Sequence, residues 1–113
     1  MQTKRITAKP RPKVKREPKE TNLRRLARDR ECQIRIPGVC NGDSATTVLC
    51  HLPGGGMGRK HHDIFGAWGC AACHDAIDGR VKTDYPSPVL KLWHFEGMTR
   101  TQQTLIDEGV IRV

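Results

Sequence analysis

The sequence predicts a small α+β domain that needs a cross-link beyond its apolar core. Three observations predict it. The chain has 113 residues, of which 4% are aromatic and 36% hydrophobic. That is too little for a large core, and domains of this size are usually supplemented by disulfides or a bound metal. It has five cysteines, and four of them form two pairs, Cys32 with Cys40 and Cys70 with Cys73. From residue 22 onward, short strand signals alternate with helix signals.

Residues 1–21 hold Pro10, Pro12 and Pro18 among eight basic side chains, and beyond Met1 only Ile6 and Val14 are larger apolar residues. A disordered basic arm is expected there, followed by one folded domain over 22–113. Asn22 can cap a short helix from Leu23 to about Arg30, with Leu23, Leu26 and Ala27 on one face. Cys32 to Cys40 alternates at Ile34 and Ile36 and then meets Pro37-Gly38, which predicts a strand and a tight turn with a cysteine at each end. Asn41 to Ser44 is another turn. Thr46 to Leu52 is β-branched and apolar and is the best strand in the chain. It runs into Pro53 to Gly58, a loop with four glycines. A second strand is expected over Asp63 to Trp68. A helix starts near Cys70 or Ala71 and ends between Gly79 and Lys82. Pro86 and Pro88 break the chain. Val89 to Phe95 reads as a helix packed through Leu90, Leu92 and Trp93, interrupted at Gly97. Thr99 then caps a last helix, Arg100 to Glu108, stopped by Gly109.

The net charge of +8 is unevenly spread. Residues 1–31 carry 12 Lys and Arg against 4 Asp and Glu, whereas residues 32–113 carry 8 of each. The basic end is a handle for a polyanion such as DNA, and Arg24 and Arg25 are candidate phosphate contacts. A solvated tail that aids solubility is the plainer use of the same charge. No apolar run follows Met1 and none is long enough to span a membrane, so a cytoplasmic location is expected. Thiols stay reduced there, and cysteine clusters bind metal more often than they form disulfides.

Cys70-Ala-Ala-Cys73 has the spacing of half a tetrahedral zinc site. Cys32 and Cys40 can supply the other half, because the Pro37-Gly38 turn draws them together. With His74 the same letters spell an attachment motif for c-type haem. That chemistry belongs to exported proteins and would leave three cysteines unexplained, so structural zinc on Cys32, Cys40, Cys70 and Cys73 is the reading adopted. Cys50 is left over. A buried small residue, a ligand to a second metal and a reactive thiol are all open to it, and the first is favoured.

His51 follows Cys50 at a strand end, His61, His62 and Asp63 follow the glycine loop, and His74 and Asp78 sit four apart on the third element. Strand, loop, strand and metal-anchored helix is the layout of HNH nucleases, a treble-clef-like ββα-metal arrangement. Phosphodiester hydrolysis needs a water deprotonated near neutral pH, which suits histidine. It also needs a hard cation to neutralise charge on phosphate and leaving oxygen. His74 and Asp78 can supply an imidazole and a carboxylate to Mg²⁺ or Mn²⁺. Arg59 and Lys60 beside the glycines can neutralise a closely approaching phosphate.

Arg30 to Gly42, Cys70 to Asp78, Glu96 to Gln102 and Glu108 to Ile111 resemble the YbcO family of lambdoid prophages, whose members are classed as nucleases. The resemblance covers about residues 22–113. The Gly-Met-Gly-Arg-Lys loop and Asp63 are also similar to the RecA-dependent phage nuclease Ref and its HNH relatives. The resemblance implies a zinc-supported HNH domain, encoded by a phage or prophage and acting in the host cytoplasm on DNA recombination or processing; a recombinase or another recombination protein is a candidate partner, which the sequence does not identify. It implies that His51 is the general base. Asp63, or second to it His62, orients that base or shapes the loop, and His74 and Asp78 hold the catalytic metal. Two positions depart from the family pattern: Cys50 stands where an Asp or His is common, and Asp78 where a His is common.

Each of these residues also has a bland use. His51 can cap a strand end, His61 and His62 can be solvated loop residues, and Asp78 can be a surface carboxylate. His74 can donate a hydrogen bond near the zinc. Trp68 and Trp93 fit a core better than a platform for stacked bases. The alternative to an enzyme is a zinc-containing DNA-binding accessory protein that performs no cleavage.

Overall fold

The computed structural model describes residues 22–53 and 62–113. The expected disordered arm, His61 and the glycine loop with Arg59 and Lys60 lie outside the described residues. The elements are helix α1 (Asn22–Arg25), strand β1 (Val48–His51), strand β2 (Gly66–Gly69), helix α2 (Ala71–Ile77) and helix α3 (Ser87–Asp107). A 3₁₀ turn precedes each strand, at Ser44–Thr46 and Asp63–Phe65.

The two strands form an antiparallel pair with Val48 opposite Gly69 and His51 opposite Gly66. Both are shorter than the sequence suggests. Asp43 accepts from the Ala45 amide and starts a 3₁₀ turn that consumes Thr46. The His62 ring does the same for the Ile64 amide and takes Asp63 to Phe65 out of β2. α3 packs across β2. The side chains of β2 alternate, with Ala67 in a core of Ile34, Ile36, Cys50, Ala76 and Met98, and Trp68 in a second cluster with Ala27 and Leu105. Trp68 is core, as its type predicts. Its amide donates to Thr101 Oγ1 at 3.0 Å and its carbonyl accepts from the Gln33 amide at 2.7 Å. The free edge of β2 is thereby satisfied without a third strand.

Three expectations are corrected. The helix from Leu23 closes after one turn at Arg25. The Arg30 guanidinium stacks 4.4 Å over the Trp68 ring and makes two bonds to Glu108, at 2.6 and 2.9 Å, so its chain is drawn to the C-terminal end of α3. The strand from Cys32 does not form. Arg35 takes φ +54° and its amide turns onto the Cys32 sulfur at 3.4 Å. Ile34 and Ile36 are nonetheless buried, as their alternation implies, but from a loop.

The third correction concerns α3, expected as two helices and found as one of 21 residues. Pro88 lies in its first turn, where its missing amide costs nothing, so the proline pair starts a helix here. Gly97 does not interrupt it. A Cβ there would lie 3.0 Å from Gln33 O, 3.0 Å from Ile34 Cγ1 and 3.1 Å from Ile34 Cα. Glycine is present so that the Cys32–Cys40 loop can lie directly against the helix. Continuous winding moves Leu92 to the outside, 52% exposed, while Leu90 and Trp93 pack against the core. α3 ends before Gly109, as predicted. Gly69 is also fixed by close approach, since a Cβ would meet Ile34 Cδ1 at 2.6 Å and Cys50 Sγ at 2.9 Å.

Candidate functional site

Cys32, Cys40, Cys70 and Cys73 converge, with all four sulfurs within 4.8 Å of one another. Cys70 N-caps α2, its sulfur accepting from the Cys73 amide at 3.4 Å. The Cys40 and Cys70 sulfurs are 3.8 Å apart. A tetrahedron with metal–sulfur bonds of about 2.3 Å has edges of about 3.8 Å, so the spacing suits a zinc-sized ion. The surrounding backbone also suits thiolates. The Arg35 amide points at Cys32, Ile36 at Cys73 and Asn41 at Cys70, each at 3.4–3.5 Å. Within the cluster, the hydrogen bond with Cys73 pulls the Cys32 thiol down to about 4. The same bond pushes Cys73 up, and burial pushes Cys40 up. The quartet could hold a metal ion such as zinc, which would let all four sulfurs carry charge at this separation.

Cys50 stays outside the quartet. It is buried at the middle of β1, its thiol pushed up chiefly by burial, and its sulfur lies 3.7 Å from Val48 O. A buried small residue is what the structure shows.

His51 ends β1, and its Nε2 lies 2.6 Å from Asp63 Oδ1. Each side chain is 14% exposed. A carboxylate only accepts, so Nε2 is the donor in this contact. The 3₁₀ turn carries Asp63 to this position. His62 faces away, exposed and capping that turn through Nδ1, so Asp63 rather than His62 is the partner. Arg24 Nε lies 3.7 Å from the same Asp63 oxygen and brings a cation to the pair. Arg25 instead donates to Asn22 Oδ1 at 3.1 Å and is exposed.

His74 Nε2 and Asp78 Oδ2 are 3.2 Å apart across one turn at the end of α2, about one third exposed. Arg80 lies 3.6 Å from the same Asp78 oxygen. Among the described residues, the cysteine quartet is the only group of three or more His, Cys, Asp or Glu side chains with ligand atoms that close together.

Sequence reasoning missed His94. It is 3% exposed on α3, and Nε2 lies 2.8 Å from Cys50 O. Burial holds its imidazolium below the ordinary histidine range, and the charges of Asp78, His74 and His51 reach it. The available signal is the stripe Leu90, His94, Met98, Thr101, Leu105 at helical spacing, with a histidine on its apolar side. Reading a break at Gly97 hides that stripe.

Residues 21–110 match a family model described as "Putative nuclease YbcO". Proteins of the same description from Escherichia coli K12 and from Enterobacteria phage 82 are each 46% identical over 94 residues, covering 80% of this chain and 97% of theirs. A solved structure described as that of "a putative bacteriophage protein" from Escherichia coli K-12 MG1655 superposes with a TM-score of 0.68 at 46% identity, covering 78% of this chain and all of that one. With a family model spanning the described domain and relatives matched over almost their whole length, the chain belongs to the YbcO family.

Proposed function

We propose that this chain is a metal-dependent DNA endonuclease of HNH type. Its relatives' description supports nuclease action. The observation that carries the reading is the His51–Asp63 pair with Arg24 beside it. Asp63 holds the Nε2–H tautomer and supports the imidazolium that forms when Nδ1 takes a proton from water. Arg24, with Arg59, Lys60 and Arg25, neutralises phosphate oxygens around that water. His74 and Asp78 would hold Mg²⁺ or Mn²⁺, a cation that keeps most of its waters and supplies charge neutralisation at the phosphate and leaving oxygen. Zinc on the cysteine quartet anchors α2, and so His74 and Asp78, against the Cys32–Cys40 loop. The basic N-terminal residues add sequence-independent attraction to DNA. The source of one relative supports a phage context, in which the proposed substrate process is DNA recombination or processing.

Nicking of supercoiled plasmid by purified protein with Mg²⁺ or Mn²⁺, beside a His51→Ala control, tests this. Divalent-dependent nicking by wild type only is expected. No nicking, or equal nicking by the control, would sink the reading. One observation favours a second reading, a zinc-containing DNA-binding accessory protein: His74 and Asp78 are bonded to each other, and among the described residues no third His, Cys, Asp or Glu donor is gathered beside them. It predicts DNA binding without scission under either metal.

A further inference from the structure

His94 is buried on α3, outside both the His51–Asp63 and the His74–Asp78 pairs. Burying an imidazole strips water from two ring nitrogens, and an apolar side chain of the same size would pack there at lower cost. What His94 gains is the bond from Nε2 to Cys50 O at 2.8 Å. A carbonyl only accepts, so Nε2 is the protonated nitrogen and the donor. The acceptor matters because Cys50 O and the His51 amide belong to one rigid peptide plane. Tilting that plane swings the Cα from which the His51 side chain leaves. The ring of His51 is held from the other side, by Asp63 at 2.6 Å. These two holds come from elements remote in the chain, α3 and the turn before β2, and they bear on His51 through the peptide bond that precedes it and through the tip of its ring.

We propose that His94 is a positioning residue for His51, setting through the Cys50 carbonyl the direction in which that imidazole is presented to Asp63 and to the attacking water. The proposal rests on the reading of His51 as general base for its kinetic consequence, but its geometric content stands apart from it. Two variants separate the donor from the bulk. His94→Leu fills most of the space without a donor. His94→Gln places an amide N–H about as far from Cα as imidazole Nε2.

Full-length wild type and both variants are compared by plasmid nicking and by long-range ¹H–¹⁵N correlation spectra of the histidine rings, which report the tautomer of His51. In His94→Leu, kcat is expected to fall roughly 10- to 100-fold with KM within about twofold, the size of effect a small misplacement of a reacting group produces. The single Nε2–H signature of His51 is expected to give way to a mixture. His94→Gln is expected to keep the signature and to hold kcat within about threefold of wild type. An unchanged His51 signature in folded His94→Leu overturns the proposal, as does an equal loss in both variants. Should His94→Leu not fold, His94→Gln decides alone: a folded protein with a lost signature overturns it, and a kept signature supports it. If wild type itself does not nick DNA, the nuclease reading fails, and the spectra still judge the positioning.

Discussion

His51 and Asp63 stand twelve positions apart in the chain and 2.6 Å apart in space, imidazole Nε2 against carboxylate oxygen. The sequence between them includes the glycines, Arg59 and Lys60. In the proposed mechanism the carboxylate orients the His51 ring and supports its charge, and an amide should keep the orienting part, because its oxygen also accepts from Nε2. We expect Asp63→Ala to lower divalent-dependent nicking roughly 100-fold or more, within the range of a lost acid–base contribution. Asp63→Asn should stay within about tenfold. Nicking rates at saturating plasmid check this. Equal activity of Asp63→Ala and wild type would remove Asp63 from the site.

The cysteine quartet predicts one zinc per chain by elemental analysis. Co²⁺ in its place should give the visible and near-ultraviolet bands of tetrahedral thiolate ligation. Strong chelation should unfold the domain, seen as loss of the far-ultraviolet circular dichroism signal, because in small metal domains binding and folding are coupled. Serine at Cys32, Cys40, Cys70 or Cys73 should lower metal content. Cys50→Ala should leave it at one per chain, since Cys50 lies outside the quartet.

Gly97→Ala opposes two effects of known size. Alanine is about 1 kcal/mol better than glycine inside a helix. The new Cβ would press on two backbone atoms, Gln33 O and Ile34 Cα, and on one side-chain atom. Backbone cannot rotate away, and overpacking typically costs about 1–3 kcal/mol. The clash should win, with a net loss of about 1 kcal/mol. A lower melting temperature at constant zinc content is the expected outcome. A rise would mean that the Cys32–Cys40 loop moves freely off α3.

Thr101→Val keeps shape and deletes one hydroxyl. That hydroxyl accepts from the Trp68 amide at 3.0 Å and donates to Gly97 O at 2.9 Å. Valine leaves the amide of a buried strand without a partner, which costs about 1–3 kcal/mol. Denaturant unfolding should show that loss with an unchanged slope. Serine should restore most of it.

Residues 1–21 carry eight Lys and Arg against two Glu, +6 of the total +8. Deleting them should weaken DNA binding at low salt and flatten the dependence of log affinity on log salt, since that slope counts neutralised phosphates. Titration by fluorescence anisotropy between about 50 and 200 mM salt measures it. An unchanged slope would make the arm a solubility tail.

Reading the letters alone reaches the features with short-range causes. The Cys-x-x-Cys spacing marks the start of α2, β-branched residues mark β1, and the i, i+4 spacing of His74 and Asp78 places them on one helix face. It also groups the four cysteines, because thiol chemistry narrows the choice even across 29 intervening residues. It fails where a distant partner overrules local preference. Gly97 reads as a helix break, but the loop at Gln33 and Ile34, more than sixty positions away, needs its missing side chain. Cys32 to Ile36 alternates like a strand, but amides turn toward sulfur and Arg35 adopts a positive φ. His94 stands out in the sequence only when the stripe is followed through Gly97, and its bonding partner exists only once β1 lies against α3. Its partner is a backbone carbonyl 44 positions away, and a carbonyl is the same in every residue. Periodicity and ligand spacing are properties of neighbouring letters, whereas close approach and buried hydrogen bonds exist only once the chain has closed on itself.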